Sequence, residues 1–299
     1  MSSQTEATCR GISSMIVRLG NCQRTCLALA KLTLGGFRAL TAYVSTNLRP
    51  NQDILVKTKD IADQLNLPFI ERGKKSIESL QNETMSDLLI IGKERIELYP
   101  FGSLQPIFFH PSSAMFRIKR LERGETDPLV EVSLLSAGDS FLDCTLGLGS
   151  DSLVAAYQVG EAGKVVGIEE NQLLFFLVKE GFKNWITEYI PLQKALRLVK
   201  PENTSYLTYL SQLPDKSFDC VYFDPMFDSA IDEAEVMRNW GKVAQYSKLR
   251  QSEIEQALRV ARKRVVLKAH YKSPLFKELG FTQIVRKSAK FHFGFIEAF

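Results

Sequence analysis

The chain has 299 residues, enough for one large domain with a smaller companion, and at 45% hydrophobic and 24% charged it is not disordered as a whole. Its longest strongly apolar run, Leu173 to Val178, is far too short to cross a bilayer, so no membrane partner is expected. The net charge of +4 sits in residues 1–40, where Arg10, Arg18, Arg24, Lys31 and Arg38 face Glu6 alone. The remainder is balanced, which argues against a globally basic nucleic-acid surface.

Residues 1–42 are rich in Ser, Thr, Arg and Leu and poor in acids, superficially like a transit peptide, and read as a poorly ordered extension. Five cysteines (Cys9, Cys22, Cys26, Cys144, Cys220), with no secretory apolar region ahead of them, point to a reducing, cytoplasmic setting. Cys22 and Cys26 lack a second pair at ligand spacing, so no metal site is expected. Cys144 and Cys220 fall in predicted buried strands. From Tyr43 the pattern becomes that of a small α/β unit, residues 43–124. It has helices over Asp53–Leu65 and Ser76–Gln81, and short strands at Leu67–Ile70, Leu88–Ile91 and Arg95–Tyr99. The charged, glycine-containing stretch Arg123–Glu125 marks its end.

Residues 125–299 alternate strand and helix. Strands are predicted at Phe141–Cys144, Lys164–Ile168, Leu196–Val199, Asp219–Phe223 and Arg264–Ala269. Helices are predicted at Asp151–Val159, Asn171–Asn184 and Ser252–Ala261, the last with Ser252 as N-cap. Phe281–Val285 and Phe291–Ala298 form a closing pair. The pattern implies a Rossmann-like, mostly parallel, doubly wound sheet with an antiparallel closing strand. Such sheets bind ligands at the carboxyl ends of their strands, where the strand order reverses.

Two segments occupy such ends. The first strand runs into Asp143-Cys144-Thr145-Leu146-Gly147-Leu148-Gly149-Ser150-Asp151, where Gly147 and Gly149 permit a tight turn and close backbone approach to a ligand. The next strand ends at Glu169-Glu170, 20 residues past Gly149, the spacing of an acid that accepts ribose hydroxyls. A dinucleotide reading stays open but lacks a third glycine, since Ser152 stands there, and Asp143 would repel a pyrophosphate. A carboxylate suits the sulfonium and ammonium of S-adenosylmethionine (SAM). Glu169 and Glu170 could also merely favour the dipole of the following helix.

The other segment is Asp224-Pro225-Met226-Phe227. Pro225 ends the strand. Asp224 and the Pro225 carbonyl can accept from an exocyclic amine, and Phe227 offers a stacking face; a plain strand-terminating turn is the alternative. The corner resembles the Asp/Asn-Pro-Pro-Tyr/Phe motif of nucleobase amino methyltransferases, with Met226 in place of the second proline. Two further stretches are ambiguous. Phe109–Arg120 mixes aromatic and cationic side chains and reads either as a substrate-holding segment or as a helix-linked connector, with His110 structural. Residues 259–290 hold ten Lys or Arg against Glu278, either a local nucleic-acid surface or a solvated rim.

The turn Asp143–Asp151, the corner Asp224–Phe227 and the strand Ala261–Lys268 together resemble the ribosomal RNA small subunit methyltransferase J family, over about residues 125–299. The region before residue 125 resembles a Gram-positive branch known only as class I methyltransferases. The resemblance implies a class I SAM-dependent methyltransferase acting on guanine N2 of small-subunit rRNA, with rRNA or the small subunit as partner. It places Ser150, Asp151, Glu169, Glu170, Ser205, Tyr206 and Asp224 on cofactor contacts. Two rivals remain: methylation of a protein carboxylate, and an RNA-binding protein that keeps a SAM pocket without turnover.

Overall fold

The structure, a computed structural model, describes residues 42–225 and 249–299, which belong to one compact unit. The expected extension, Cys9, Cys22, Cys26, Met226 and Phe227 lie outside the described residues.

A three-stranded sheet comes first. Strand β1 (Ala42–Thr46) pairs in parallel with β2 (Asp87–Ile91), and β2 pairs antiparallel with β3 (Ile96–Tyr99). Helix α1 (Gln52–Leu65) buries Ile54, Ile61, Ala62 and Leu65, the spacing of one helical face; Asn51 Oδ1 caps it by accepting from Ile54 N at 2.9 Å. Helix α2 (Ile77–Thr84) is capped by Ser76. The predicted strand at Leu67–Ile70 is reduced to a single bridge, Val44 to Phe69, because Pro68 has no N–H to extend a ladder.

Helices α3 (Ser112–Glu122) and α4 (Pro128–Ser133) lead into the second sheet. Phe109 is buried edge-on against Phe182 (5.4 Å between centroids) and Trp185 (5.9 Å), which packs the start of the segment Phe109–Arg120, while Phe116 within it stays exposed. His110 shares a hydrogen with Ser112 at 2.6 Å.

The second sheet takes its strands from β4 (Ser140–Asp143), β5 (Lys164–Ile168), β6 (Val199–Glu202), β7 (Phe218–Phe223), β8 (Ala261–His270), β9 (Thr282–Ile284) and β10 (Phe291–Glu297), in the order β6-β5-β4-β7-β8-β10-β9. The first five are mutually parallel. β10 lies antiparallel between β8 and β9, the closing pair expected. The connecting helices are α5 (Ser150–Val159), α6 (Gln172–Asn184), α7 (Ile190–Leu198), α8 (Tyr206–Gln212), α9 (Gln251–Val260) and the single turn α10 (Leu275–Glu278). The core continues from the first sheet into the second, with Val44 and Leu89 in the same cluster as Phe141 and Leu177. Buried Cys144 and Cys220 are free thiols.

Strand β1 and helices α4, α8 and α10 have no counterpart in the expected elements, and several boundaries shift, two of them for a clear physical reason. Leu196–Leu198 close α7, whose buried face is Leu192, Ala195 and Leu196, and the strand begins only at Val199; a short apolar run does not separate a buried strand from a helix end. Ser252 lies inside α9, which is capped from Arg250, whose N–H donates to Glu253 Oε2 at 3.0 Å. No described helix is long and apolar enough to cross a membrane.

Candidate active site

The sheet order reverses between β4 and β7, which pair with Asp143 opposite Tyr222. Parallel pairing puts both carboxyl ends at one edge, so the turn after β4 and the corner after β7 are neighbours. Two hydrogen bonds join them. Cys144 N donates to Tyr222 O at 2.9 Å, and Asp224 N donates to Thr145 Oγ1 at 2.7 Å, across 79 positions.

The turn is built around positive φ at Gly147 (52°) and Gly149 (75°). A Cβ on Gly149 would stand 2.4 Å from Phe182 Cζ, so packing as well as φ fixes glycine there. Asp143 is 1% exposed. Its Oδ1 accepts from Thr145 N (3.0 Å) and its Oδ2 from Ser152 Oγ (2.7 Å), so both oxygens hold the turn itself. Burial pushes its pKa up to about 7, against the Ser152 and Thr145 hydrogen bonds that favour the ionised form. Glu169, also 1% exposed, accepts from Gly147 N on Oε2 (3.2 Å) and from Asn171 N on Oε1 (2.9 Å), clamping the turn to the β5 tip. Asn203 Nδ2 donates to the carbonyls of Glu169 (2.8 Å) and Glu170 (3.3 Å), which draws in the loop after β6.

That loop carries Ser205, whose Oγ caps α8 by accepting from Thr208 N at 3.2 Å. Tyr206 turns its side chain into the core. Its hydroxyl donates to Glu253 Oε2 at 2.8 Å and its ring meets Phe223 edge-on.

A charged cluster spans the strand tips. Lys268, near the end of β8, reaches Asp224 Oδ2 at 2.7 Å and Asp151 Oδ2 at 3.0 Å. Tyr222 donates to Asp151 Oδ2 at 2.8 Å. Arg117, from α3, contacts Asp151 through Nη1 and grips Asp127 with two bonds of 2.8 Å. Burial disfavours every charge here, so the sign of each shift shows which partner prevails. Burial pushes Asp151 up, but Lys268 and Arg117 outweigh it and hold that carboxyl well below the usual range. Burial prevails at Asp224, whose pKa is raised although Lys268 opposes it. Burial works against the Lys268 ammonium too, but Asp151 and Asp224 raise its pKa above the ordinary lysine value. Among the described residues, three carboxylates (Asp127, Asp151, Asp224) face two cations (Arg117, Lys268), leaving surplus negative charge at the edge.

Of the sequence-predicted residues, the structure brings Asp143, Gly147, Gly149, Ser150, Asp151, Glu169, Asp224 and Pro225 to this edge, with Glu170 and Ser205 on its β5–β6 side. Sequence reasoning missed Thr145, Arg117, Tyr222, Asn203 and Lys268. Lys268 carried a signal, a lysine directly after the apolar stretch Val265-Val266-Leu267 at the far end of the strand, but it was counted with the basic run. Arg117 gave none, because the connector had no assigned neighbour.

The edge suits SAM. Glycine provides α5 with no side-chain cap, so its first-turn N–H groups are open to an anionic group such as the methionine carboxylate. The buried Ser150 Oγ has no hydrogen-bond partner among the described residues, and the surplus negative charge suits a sulfonium. Among the described residues no cluster of His, Cys, Asp or Glu could hold a metal ion.

Comparison with known proteins agrees. The family described as "Putative SAM-dependent methyltransferase" matches residues 74–293. The chain belongs to this family. SAM is its cofactor, and its sheet is that of class I methyltransferases. Over 254 residues the methyltransferase is 44% identical to the uncharacterized protein YpiP of Bacillus subtilis, covering 85% of this chain and 98% of that one. It is 29% identical over 102 residues to ribosomal RNA small subunit methyltransferase J of Francisella tularensis subsp. novicida, 32% of this chain and 38% of that enzyme. The crystal structure of a SAM-dependent methyltransferase from Neisseria gonorrhoeae superposes with a TM-score of 0.55 at 16% identity, covering 86% of this chain and 96% of that one, a likeness of fold alone.

Proposed function

We propose that this methyltransferase modifies an exocyclic amino group, guanine N2 of small-subunit rRNA, working in the cytoplasm on rRNA or the small subunit. One observation carries the reading: the Asp224 N–H is held by Thr145 Oγ1, which fixes the Asp-Pro corner against the glycine turn. A carboxylate at that spot has no obvious task in O-methylation, whereas it can accept from an amine. The partial likeness to methyltransferase J supports the RNA target.

SAM, when bound, supplies a methyl group activated by positive sulfur. The chain's own residues position the acceptor. The Asp224 carboxylate and the Pro225 carbonyl accept the two amine hydrogens and turn the nitrogen lone pair outward, towards the methyl. With SAM held there, its methyl would pass to that nitrogen and leave as by-product the neutral thioether S-adenosylhomocysteine, and the proton the nitrogen sheds would go to solvent. Lys268 opposes the burial that favours the protonated form of Asp224 and bonds its Oδ2 at 2.7 Å. Phe227, by its place in the motif, would stack on the base. A base within a helix must first be unstacked. Glu169 and Glu170 would face the ribose, while Gly147, Gly149, Ser150, Asp151 and Ser205 would line the cofactor and Asp143 would shape the turn; Tyr206, expected on a cofactor contact, is turned into the core against Glu253 and Phe223 instead.

Tritiated methyl transfer from SAM to naked rRNA, to assembled small subunits and to protein fractions, run in parallel, tests this reading. Label is expected in RNA, and Asp224→Ala should abolish it while SAM binding is partly kept. Label in protein would favour the carboxylate reading. RNA bound without label would leave only a binder.

A further inference from the structure

The basic run 259–290 is divided by the fold into two populations. At the amino ends of the strands, Arg259 pairs with Asp215 (2.7 Å), Arg262 with Asp219 (2.8 Å), Lys263 with Asp139 (2.6 Å) and Arg264 with Glu297 (2.6 Å). These charges are neutralised locally and support structure. At the carboxyl ends, beyond Lys268, stand Lys272 after β8 and Arg286, Lys287 and Lys290 in the β9–β10 connector. All four are exposed, and none has an ion-pair partner among the described residues. Lys277 lies on α10 beside the run's lone acid, Glu278.

The backbone stitches the four together. Tyr271 N donates to Lys290 O at 2.9 Å, joining the two loops. Gln283 Nε2 donates to Tyr271 O (3.1 Å) and to Nδ1 of the buried His292 (2.9 Å). His292 then carries its proton on Nε2, 3.0 Å from Arg286 O, and holds the connector in place. Tyr271 is 43% exposed, with the His270 ring 4.6 Å away on one side and Lys272 5.4 Å from its centroid. Tyr271 follows Lys268 by three residues, so at about 3.3 Å per residue it lies about 10 Å along the chain from the charged cluster.

We infer that this rim, Tyr271 and Lys272 with Arg286, Lys287 and Lys290, is the RNA-binding surface that delivers a base to Asp224. The cations take backbone phosphates, and Tyr271 stacks on a base next to the one modified. Unpaired cations interleaved with an exposed aromatic, on the same edge as the acceptor corner, are what a single strand needs: charge along its backbone and a face for its bases. A merely solvated basic run would place unpaired charges at both edges. The inference deepens the proposed function and rests on it.

The test is the anisotropy of a short labelled single-stranded RNA bound to the full chain between about 50 and about 200 mM salt. Replacing Lys272, Arg286, Lys287 and Lys290 together by Ala should flatten the slope of log affinity against log salt by about 3, since each phosphate contact contributes about 0.7. SAM affinity and thermal midpoint should stay unchanged. Tyr271→Ala should weaken binding about tenfold and Tyr271→Phe should not, a pair that reads the rim even if the fourfold variant folds poorly. Wild-type slope and affinity in the fourfold variant, or no RNA binding by the wild type, would overturn the rim. RNA methylation alongside an unaltered slope would refute the rim and spare the methylation reading. The expected slope change without methyl transfer would do the reverse.

Discussion

Among the described residues Lys268 is the only lysine in the cluster at the strand tips, and Lys268→Met removes its charge with little change of volume. In the wild type it bonds Asp151 and Asp224 at once, and all three side chains are at least three-quarters shielded, with exposures of 24%, 11% and 20%. Deleting one partner of such a pair leaves uncompensated buried charge, worth about 3 kcal/mol near neutral pH. For a domain of this size that lowers the thermal midpoint by roughly 6–12 °C. The pH dependence follows from the carboxylates. With Lys268 gone, Asp224 rises further above its unfolded pKa and Asp151 loses one of the two cations that hold it low, so folding must pay to keep the pair ionised. That penalty is greatest above their folded pKa and fades as pH falls towards about 4, where they protonate in folded and unfolded chains alike. Urea denaturation of wild type and variant near neutral pH and near pH 5 measures it. An unchanged midpoint near neutral pH, or an equal cost at both pH values, would refute the bridging role of Lys268.

Other consequences can be measured as directly. Thr145→Val keeps shape but leaves the Asp224 N–H without its 2.7 Å acceptor; the turnover number should fall by tenfold or more, with SAM affinity changed by less than about threefold, by kinetics and calorimetry. Gly149→Ala forces a side chain into φ 75° and onto Phe182, and should cost about 2 kcal/mol or more of stability in urea together with a measurable loss of SAM affinity. Glu169→Ala frees the N–H groups of Gly147 and Asn171, and SAM should bind at least about tenfold more weakly in calorimetry. Asp143 is an acid whose folded pKa, about 7, lies above its ordinary 3.8. The native state therefore holds its proton longer, and this group's contribution to stability falls as pH rises from about 4 to about 7. Asp143→Asn should remove that slope from a plot of unfolding free energy against pH.

The sequence exposed most of the strand–helix alternation because the second sheet is regular. Val165, Val166 and Ile168 of β5, or Leu173, Leu174, Leu177 and Val178 of α6, carry periodicity that leaves little choice. The turn and the corner were legible for a related reason: glycine at positive φ and proline after a strand are chemical requirements visible one residue at a time. What stayed hidden depended on long-range neighbours. Asp143 looked like a ligand carboxylate until the fold buried it on Thr145 and Ser152. Arg117 and Asp151 are 34 positions apart, and Lys268 and Asp151 are 117 apart, distances over which no local pattern speaks. α7 was missed because its end, Leu196–Val199, is short, apolar and equally strand-like. The basic run looked uniform because sequence shows charge but not which acids fold back to meet it.

If the turn 143–151 and the corner at Asp224 share one cavity, a single ligand should touch both. A crystal structure of the full chain with S-adenosylhomocysteine tests this most directly. The sulfur should lie between the Gly147–Gly149 backbone and Asp224, with the ribose at Glu169. The far end of the sheet, where Val159 O accepts from Gly138 N, offers a rival: a cavity of about 820 Å³ between α5 and α7, lined by Ala156, Ile190 and Leu198. Ligand there, or none at the strand tips, would mean that the turn and the corner do not share a site.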